Sequence, residues 1–190
     1  MPRITPLTGR RAGTLARLIQ KIARRRGGGH DFTPISIAAH APPMLLPYAG
    51  MSGFAQGKTK VDPRVRALAM HLAGHVNRCE WCMDYGAHVA QTLGVPDDKI
   101  LDVEEFRTSP AYTDAERAAL AFAWEMTQVG CRVSDETFAE LRRHFGEREV
   151  VELAFAVAAE NFFNRMNAAF QLEAEGFCAV PPRRRAAAAQ

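Results

Sequence analysis

Two cysteines, Cys79 and Cys82, stand three positions apart in a chain that has four cysteines in all. At this spacing two thiols can close a disulfide across the first turn of a helix, and the N-terminus of a helix favours the thiolate over the thiol. The thiolate is the form that attacks oxidants and disulfides. The pair therefore predicts thiol chemistry, with both cysteines as the candidate catalytic residues.

Three interpretations of the pair stay open on spacing alone. As a redox pair, one thiolate attacks an oxidant or a disulfide and the other resolves the intermediate. As a zinc site, the pair needs two more ligands, and His71 and His75 supply them only if one unbroken helix runs through all four residues. In the third interpretation both thiols are buried and inert. The redox pair is our first hypothesis, and we expect no metal. We also expect no bound cofactor, since no glycine-rich loop that would hold a flavin or nicotinamide nucleotide is present.

Neighbouring side chains are candidates to support the thiols. Tyr85 lies three residues after Cys82, where a helix places it beside the sulfur, and His75 lies in the preceding helical segment. His88 is six residues beyond Cys82, about 600° around a helix, so it does not lie beside the sulfur. Its more natural partner is Asp84, in a surface or interface pair, although a role as a base stays open.

A polar stripe crosses an otherwise apolar segment near the C-terminus. At helical spacing it contains Glu160, Asn164, Asn167 and Gln171. Buried polar groups require partners, so the stripe lines a pocket or hydrogen-bonds across helices or subunits, and the second arrangement is the more frequent one. Arg165 is a further candidate, because a guanidinium buried here would need a carboxylate from the protein or from a ligand.

The remaining segments predict an all-α fold that positions these residues. Helix N-termini are predicted at three capping signals: Asp62-Pro63, the Thr113-x-x-Glu116 capping box, and Ser134. Four prolines divide residues 34–54 into short turns or helices, and Asn77-Arg78 separates two longer helices. A last helix from about 147 to 175 is apolar nearly all round in its first half, which predicts central burial or contact with another chain.

Charge divides the chain into three parts. Residues 1–30 contain eight Lys and Arg and no acid, whereas residues 31–180 hold all 21 acids. We therefore predict a basic N-terminal tail or amphipathic helix over 1–30, one helical domain over 31–180, and a basic flexible tail over 181–190. An acidic body with basic ends argues against a nucleic-acid partner.

The basic N-terminal segment predicts a short amphipathic helix. Its apolar positions at helical spacing are Leu15, Leu18, Ile19 and Ile22. Such a helix docks on a partner subunit or forms a loosely held tail, and an anionic membrane surface is the less expected alternative. No apolar signal segment precedes it, and four cysteines without one suit the reducing cytoplasm, which is the predicted location.

The run from Arg64 to Ile100 resembles the core of the carboxymuconolactone decarboxylase family, in its cysteine-containing, alkyl hydroperoxidase D-like branch. The residues that carry the resemblance are Leu68-Ala69, Asn77-Arg78-Cys79, Trp81-Cys82, Ala87-His88, Ala90 and Leu93-Gly94-Val95. It extends over about residues 35–178, where Glu160 to Asn167 and Glu175-Gly176-Phe177 are similar to the C-terminal part of one branch. The resemblance implies an all-helical bundle that assembles into a homo-oligomer.

The same resemblance implies a role for each sulfur. In peroxidase members of the family the second cysteine attacks the peroxide and the first resolves it, which makes Cys82 the peroxidatic thiol and Cys79 the resolving thiol. Those members complete a proton relay with a histidine four residues after the second cysteine and a glutamate twelve residues before the first. This chain has Gly86 and Ala67 at those positions, so both relay residues are absent.

We therefore expect a thiol-dependent, peroxiredoxin-like oxidoreductase of the alkyl hydroperoxide reductase type. Its substrate would be a hydroperoxide or a partner disulfide, and its reductant another thiol protein. One alternative is a decarboxylase-like lyase or isomerase that acts on a small organic acid through Arg165, His71 or His75. The other is a non-catalytic helical oligomer with inert thiols.

Overall fold

The computed structural model describes residues 1–178, and within this range every regular element is a helix. The α-helices are α1 (Gly13–Arg26), α2 (Thr33–Ala38), α3 (Leu45–Ala55), α4 (Pro63–Val76), α5 (Glu80–Thr92), α6 (Asp97–Leu101), α7 (Asp114–Thr127), α8 (Asp135–His144) and α9 (Glu147–Ala169). Short 3-10 helices span Gly9–Ala12, Pro42–Met44 and Val103–Glu105. The predicted all-α class is confirmed for the described residues, and the predicted tail over 181–190 lies outside them.

The predicted capping residues begin the helices for which they were proposed. The Asp62 carboxylate accepts a hydrogen bond of 2.8 Å from the Arg64 backbone N–H at the start of α4. Thr113 forms a capping box with Glu116 at the start of α7. The Ser134 hydroxyl accepts from the Thr137 backbone N–H, 3.2 Å away, at the start of α8. These side chains satisfy N–H groups that have no partner within the helix.

The core is organised around α4, which packs against α5, α7 and α9. Fully buried small residues on α4 and α7, Ala69, Ala73, Ala119 and Ala123, let the helix axes approach closely. Larger side chains, among them Leu72, Leu120 and Leu153, fill the space around them. In the interior, small residues at the helix contacts are thus surrounded by larger side chains that fill the remaining space.

The chain breaks between α4 and α5, as the Asn77-Arg78 pair predicted. Arg78 has a φ of 53°, in the left-handed region, which ends α4 and turns the chain into the next helix. The Cys79 backbone N–H donates to the Gly74 carbonyl oxygen at 3.0 Å across this turn. The unbroken helix that the zinc interpretation required is therefore absent.

The last helix is shorter than predicted, since it ends at Ala169 rather than near residue 175. Gln171 takes a left-handed φ of 54°, and the Leu172 backbone N–H returns to the Asn167 carbonyl oxygen at 3.0 Å. This closing turn directs residues 172–178 back across the bundle. Gln171 is consequently off the helical stripe to which the sequence assigned it.

One face of α9 is uncovered in the single chain. Val151 is 68% exposed and Phe155 is 39% exposed, and the Phe155 ring packs on Phe54 of α3 at 4.6 Å between centroids. The helix is therefore not buried on all sides within one chain. Neither α9 nor any other described helix is both long and apolar enough to cross a bilayer.

The N-terminal segment forms the predicted helix, α1, and packs on the bundle. Ala16 is buried, and Ile19 packs against the cluster that contains both Cys79 and Cys82. The Gln20 side-chain amide donates to the Phe32 carbonyl oxygen at 2.8 Å and fixes α1 to the start of α2. The basic helix therefore lies beside the cysteine pair.

Asp84 of α5 holds the segment that follows α9. Its carboxylate accepts hydrogen bonds from four successive backbone N–H groups, those of Glu175, Gly176, Phe177 and Cys178, at 2.7–3.1 Å. This arrangement keeps the Phe177 ring packed against both Trp81 and Tyr85, with centroid distances of 5.6 and 5.2 Å. One carboxylate thereby closes the C-terminal segment over the N-terminal part of α5.

Replacement of Asp84 by Ala is expected to lower the free energy of unfolding by about 2–3 kcal/mol, because four backbone donors lose a charged acceptor. Asp84→Asn keeps one oxygen acceptor, so its free energy of unfolding should lie between those of the unmodified protein and Asp84→Ala. Urea unfolding followed by circular dichroism measures the effect. Asp31→Ala, which removes only an exposed ion pair to Arg24, is the control and should change stability by less than about 0.5 kcal/mol. Equal losses for Asp84→Ala and Asp31→Ala would contradict the anchoring role.

Candidate active site

Cys79 and Cys82 form a disulfide, with their Cα atoms 5.2 Å apart. Cys79 is the N-cap residue of α5, and its sulfur accepts from the Cys82 backbone N–H at 3.3 Å. Each cysteine is only 3% exposed. The pair spans the first helical turn as its spacing predicted, in a position where the helix dipole stabilises a thiolate after reduction.

A cavity of about 290 Å³ adjoins the pair and distinguishes its two members. Cys82 belongs to the cavity wall, and Cys79 does not belong to the wall formed by the described residues. The described wall is drawn from α1 to α5 and α9, and none of its residues comes from α6, α7 or α8. A small molecule in this cavity would meet Cys82 first.

The cavity wall is mainly apolar, and its described residues include an acidic side chain but no basic one. Its polar lining side chains are Tyr48, Ser52, Gln56, Tyr85 and Glu160. The Tyr85 hydroxyl donates to the Gln56 side-chain oxygen at 3.1 Å, which satisfies both groups. No Lys, Arg or His lines the part of the wall that the structure describes. An uncharged apolar ligand is therefore favoured over an anion.

The polar stripe of α9 faces the sulfur and the cavity. The Asn167 side-chain amide, which is buried, donates to the Cys82 sulfur at 3.3 Å. Glu160, two turns earlier, lines the cavity. Asn164 between them is buried, and among residues 1–178 neither its amide nitrogen nor its amide oxygen has a hydrogen-bond partner. The stripe is thus part of the candidate site, and Gln171 lies beyond the end of the helix.

The two positions that lack the family's relay residues both lie in the cavity wall. Ala67 and Gly86 line the cavity, but neither carries a group that can move a proton. The space beside Gly86 is taken by His71 of α4: a Cβ atom at Gly86 would lie 3.0 Å from the His71 Nδ1 atom. An imidazole therefore reaches this region from a different helix.

His71 is held as a neutral imidazole. Its Nε2 atom lies 3.2 Å from the Ile100 carbonyl oxygen, which can only accept, so Nε2 carries the proton and Nδ1 is left as an acceptor. Within the described residues that buried Nδ1 atom has no hydrogen-bond partner. Burial, followed by the neighbouring His75, lowers the pKa of His71 to about 3. His71 is therefore uncharged at neutral pH.

His75 and Tyr85 occupy different surroundings. The His75 ring packs on His71 with centroids 4.5 Å apart, and its Nδ1 atom lies 3.5 Å from the Glu104 carboxylate. His75 is therefore directed toward Glu104 and lies outside the described cavity wall. Tyr85 lies in that wall, where its hydroxyl donates to the Gln56 side-chain oxygen.

His88 and Arg165 also lie outside the described wall. The His88 ring is stacked on Tyr85, 6.2 Å between centroids, while the oxygens of its expected partner Asp84 accept from backbone N–H groups. Arg165 is exposed, and its guanidinium donates to the backbone and side-chain oxygens of Asn161 at 3.0 and 2.9 Å. Arg165 is thus not buried, and the oxygens that its guanidinium contacts are those of an amide residue rather than of a carboxylate.

Two residues of the site were not among the predicted site residues. Glu160 and Asn167 were noticed only as members of the stripe, although an acid and an amide on an apolar helix are a usable signal. Tyr48, which lies near Glu160, carried no such signal. Burial and the Glu160 charge raise the pKa of Tyr48 well above its ordinary value.

The zinc interpretation also lacks a suitable set of ligands. Within residues 1–178 no group of three or more His, Cys, Asp or Glu side chains is placed to hold a metal ion. The His71 Nε2 atom bonds the Ile100 carbonyl oxygen, and the two cysteine sulfurs bond each other. The four residues therefore do not converge on a common point.

Replacement of Asn167 by Ala is expected to slow the reaction of the reduced Cys82 thiol with iodoacetamide about fivefold at pH 7. The reason is that a buried hydrogen bond to sulfur stabilises the thiolate by about 1 kcal/mol. The rate is measured in a background of Cys79→Ser, Cys131→Ser and Cys178→Ser, so that a single thiol reacts.

The control for this measurement is Asn164→Ala, one turn earlier on the same helix. It removes a buried amide that makes no bond to the sulfur and should leave the rate within about twofold. A similar slowing by both substitutions would show that the Asn167 contact has no specific effect on the thiol.

Replacement of Gly86 by His, which restores the family's residue, is expected to destabilise the protein by about 1–3 kcal/mol because His71 occupies the space. Adding His71→Ala should recover at least about 1 kcal/mol, which a double-mutant cycle of urea unfolding measures. Gly50→His is the matched control, since no atom lies within 4 Å of a Cβ at that helical position. Additive effects of Gly86→His and His71→Ala would refute the contact.

Comparison with known proteins identifies the family of this chain. The model of the carboxymuconolactone decarboxylase family matches residues 45–125. The uncharacterized protein YnjA of Escherichia coli (strain K12) is 30% identical over 162 residues, which are 84% of this chain and 88% of YnjA. This match is about twice as long as the segment that the family model covers.

Two solved structures share the fold. The debrominase Bmp8, in complex with 2,3,4-tribromopyrrole, superposes with a TM-score of 0.81 at 23% identity, over 93% of this chain and 95% of Bmp8. An uncharacterized peroxidase-related protein from Ralstonia eutropha JMP134 with an alkylhydroperoxidase AhpD core has a TM-score of 0.77 at 16% identity, over 92% and 96% of the two chains. The chain therefore has the helical fold of alkyl hydroperoxidase D-like proteins and belongs to the carboxymuconolactone decarboxylase family.

Proposed function

We propose that this protein is a thiol-dependent oxidoreductase that reduces a small organic hydroperoxide with the Cys79–Cys82 dithiol. The observation that carries the proposal is the asymmetry of the pair: Cys82 lines the cavity, whereas Cys79 is bonded to it from outside the described wall. Cys82 is accordingly the attacking thiol and Cys79 the resolving thiol.

The reaction balances over two steps. The Cys82 thiolate attacks one peroxide oxygen, the O–O bond breaks, and the alkoxide leaves and takes up a proton as the alcohol. Cys82 is then a sulfenic acid. The Cys79 thiolate attacks that sulfur, the disulfide forms, and hydroxide leaves as water after protonation. The two electrons that reduce the hydroperoxide come from the two thiols.

The cavity supports a small apolar substrate over a partner disulfide. Both sulfurs are almost fully buried, and the approach to Cys82 is through a cavity with mostly apolar walls. In place of the family's relay, thiolate formation in this proposal relies on the N-terminus of α5 and on the Asn167 amide. The reductant that restores the dithiol is a thiol protein, and the location is the cytoplasm.

A lyase or isomerase that acts on an organic acid receives little support. Arg165 is exposed, and His71 is buried against Ile100 and Gly86. The described cavity wall contains no cation to hold a carboxylate. The residues proposed for that chemistry therefore do not meet at a common site.

A halogenated aromatic compound is a second candidate substrate for the same dithiol. The resemblance in fold to a debrominase complex and the aromatic residues of the wall, among them Phe32 and Trp81, favour it. The balance is again two electrons: the two thiols become a disulfide while the carbon–bromine bond is replaced by carbon–hydrogen and bromide leaves. Release of bromide from a brominated pyrrole by the reduced protein tests this candidate directly.

We also propose that the protein forms a homo-oligomer. The apolar surface formed by Phe54, Val151 and Phe155 is exposed in the single chain and would be covered by another copy. The thiol chemistry proposed here uses residues of one chain and assigns no catalytic group to a partner.

The reduced protein is expected to form the Cys79–Cys82 disulfide when mixed with cumene hydroperoxide, at least about tenfold faster than with hydrogen peroxide, because the apolar cavity binds the aromatic group. Stopped-flow tryptophan fluorescence follows the reaction, and peptide mass spectrometry identifies the disulfide. Cys82→Ser should abolish oxidation, and Cys79→Ser should stop it at a Cys82 sulfenic acid.

The control variants are Cys131→Ser and Cys178→Ser, which remove the two thiols outside the disulfide. Both should react like the unmodified protein. Persistence of both Cys79 and Cys82 thiols in excess hydroperoxide would refute the peroxidase proposal. Equal rates with the two peroxides would instead refute the role of the cavity in substrate selection.

A further inference from the structure

The acidic side chain of Glu160 lines the same cavity as Cys82. It lies on α9 two turns before Asn167, whose amide contacts the Cys82 sulfur. Two turns correspond to about 10 Å along one face of a helix. Glu160 therefore lines a part of the cavity wall two helical turns away from the residue that contacts the Cys82 sulfur.

The surroundings of Glu160 do not compensate a negative charge. Among the side chains that the structure describes, no hydrogen bond or ion pair joins the Glu160 carboxyl group to another side chain, and no cation lines the cavity. Burial raises the pKa of Glu160 to about 8. Because such a group holds its proton at neutral pH, Glu160 presents a neutral acid with an O–H donor to the cavity.

The other titratable groups that face the cavity differ from Glu160. Tyr48 from α3 has a pKa raised by burial and by Glu160 itself, so it stays neutral over the same range. From α5, the Tyr85 hydroxyl is bonded to Gln56, and Cys82 does not titrate while it is in the disulfide. The residues of α1, α2 and α4 that line the described wall are apolar. Glu160 is thus the group of this wall that changes charge between about pH 7 and pH 9.

We propose that Glu160 determines the specificity of the cavity: as a neutral acid it donates a hydrogen bond to an oxygen of an uncharged, mainly apolar ligand, at the end remote from Cys82. The inference rests on the proposed function for the reacting end of the ligand and adds the chemistry of the other end. Carbonyl, ether and hydroxyl oxygens are acceptors of this kind. A carboxylate ligand is disfavoured, since it adds a second acid to a cavity without a cation.

The test is the binding of acetophenone and of benzoate, a neutral and an anionic molecule of similar size, to the full-length protein in its disulfide form. Tryptophan fluorescence reports binding, because Trp81 lies in the wall. The Kd for acetophenone is expected to rise about tenfold from pH 7 to pH 9 as Glu160 loses its proton. Benzoate is expected to bind at least about tenfold more weakly than acetophenone at pH 7.

The discriminating variant is Glu160→Gln, whose amide donates a hydrogen bond at every pH. Its Kd for acetophenone should stay within about twofold from pH 7 to pH 9. Glu147→Gln, at an exposed position on the same helix, should keep the pH dependence of the unmodified protein. Identical pH profiles for the unmodified protein and Glu160→Gln would overturn the proposal, as would failure of acetophenone to bind at pH 7.

A second readout does not depend on a ligand. A buried acid whose pKa is raised on folding makes the folded state less stable as pH rises from its unfolded pKa, about 4.5, to its folded pKa. The urea midpoint of Glu160→Gln should therefore exceed that of the unmodified protein by an amount that grows from about pH 5 to pH 8 and is constant above it. A midpoint difference that is independent of pH would contradict a neutral Glu160.

The two proposals fail separately. Loss of reactivity toward hydroperoxides, with the pH dependence of acetophenone binding intact, refutes the oxidoreductase and leaves Glu160 as the determinant of a binding cavity. Rapid disulfide formation, with acetophenone binding that is the same in the unmodified protein and in Glu160→Gln, refutes only the role of this residue.

Discussion

The close approach of α4 and α5 is the constraint on which the site depends. A Cβ atom at Gly74 would lie 3.4 Å from the Cys82 Cβ atom, and one at Gly86 would lie 3.0 Å from His71. The two helices therefore touch at two glycines, Gly74 of α4 against Cys82 and Gly86 of α5 against His71. This contact buries the disulfide, directs Cys82 toward the cavity, and fills with His71 the space that a side chain at position 86 would need.

The same contact explains why the site has a different electrostatic character from a relay-type peroxidase. At Gly86 and Ala67 the wall carries no ionisable group, and the nearest imidazole, His71, is held neutral by burial. The acidic group of the described wall, Glu160, comes from α9, two turns before the residue that contacts the sulfur. The groups that would stabilise a Cys82 thiolate are then dipoles, namely the N-terminus of α5 and the Asn167 amide. A site of this kind suits neutral reactants better than charged ones.

Local signals in the sequence predicted much of this structure. Capping residues such as Asp62 and Thr113, and the helix break at Arg78, act through bonds within a few residues, so their consequences can be derived from spacing. The cysteine pair is equally local. The exposure of Arg165, the early end of α9 at Ala169 and the bonding of Asp84 to residues 175–178 depend on how distant segments meet, which periodicity does not encode. Glu160 is an intermediate case. The sequence shows an acidic residue on an apolar helix, but it does not show that this residue lines a cavity.

The position of α1 has a consequence for how this protein can diverge from its relatives. Ile19, Ile22 and Ala23 form part of the cavity wall, yet they precede the segment at residues 45–125 that the family model matches. The two cysteines and this part of the cavity wall thus lie in different stretches of the chain. Under the proposed function, changes in the leading helix would alter the range of accepted molecules while leaving the two cysteines in place, so substrate scope and reaction type would be separable in evolution and in design.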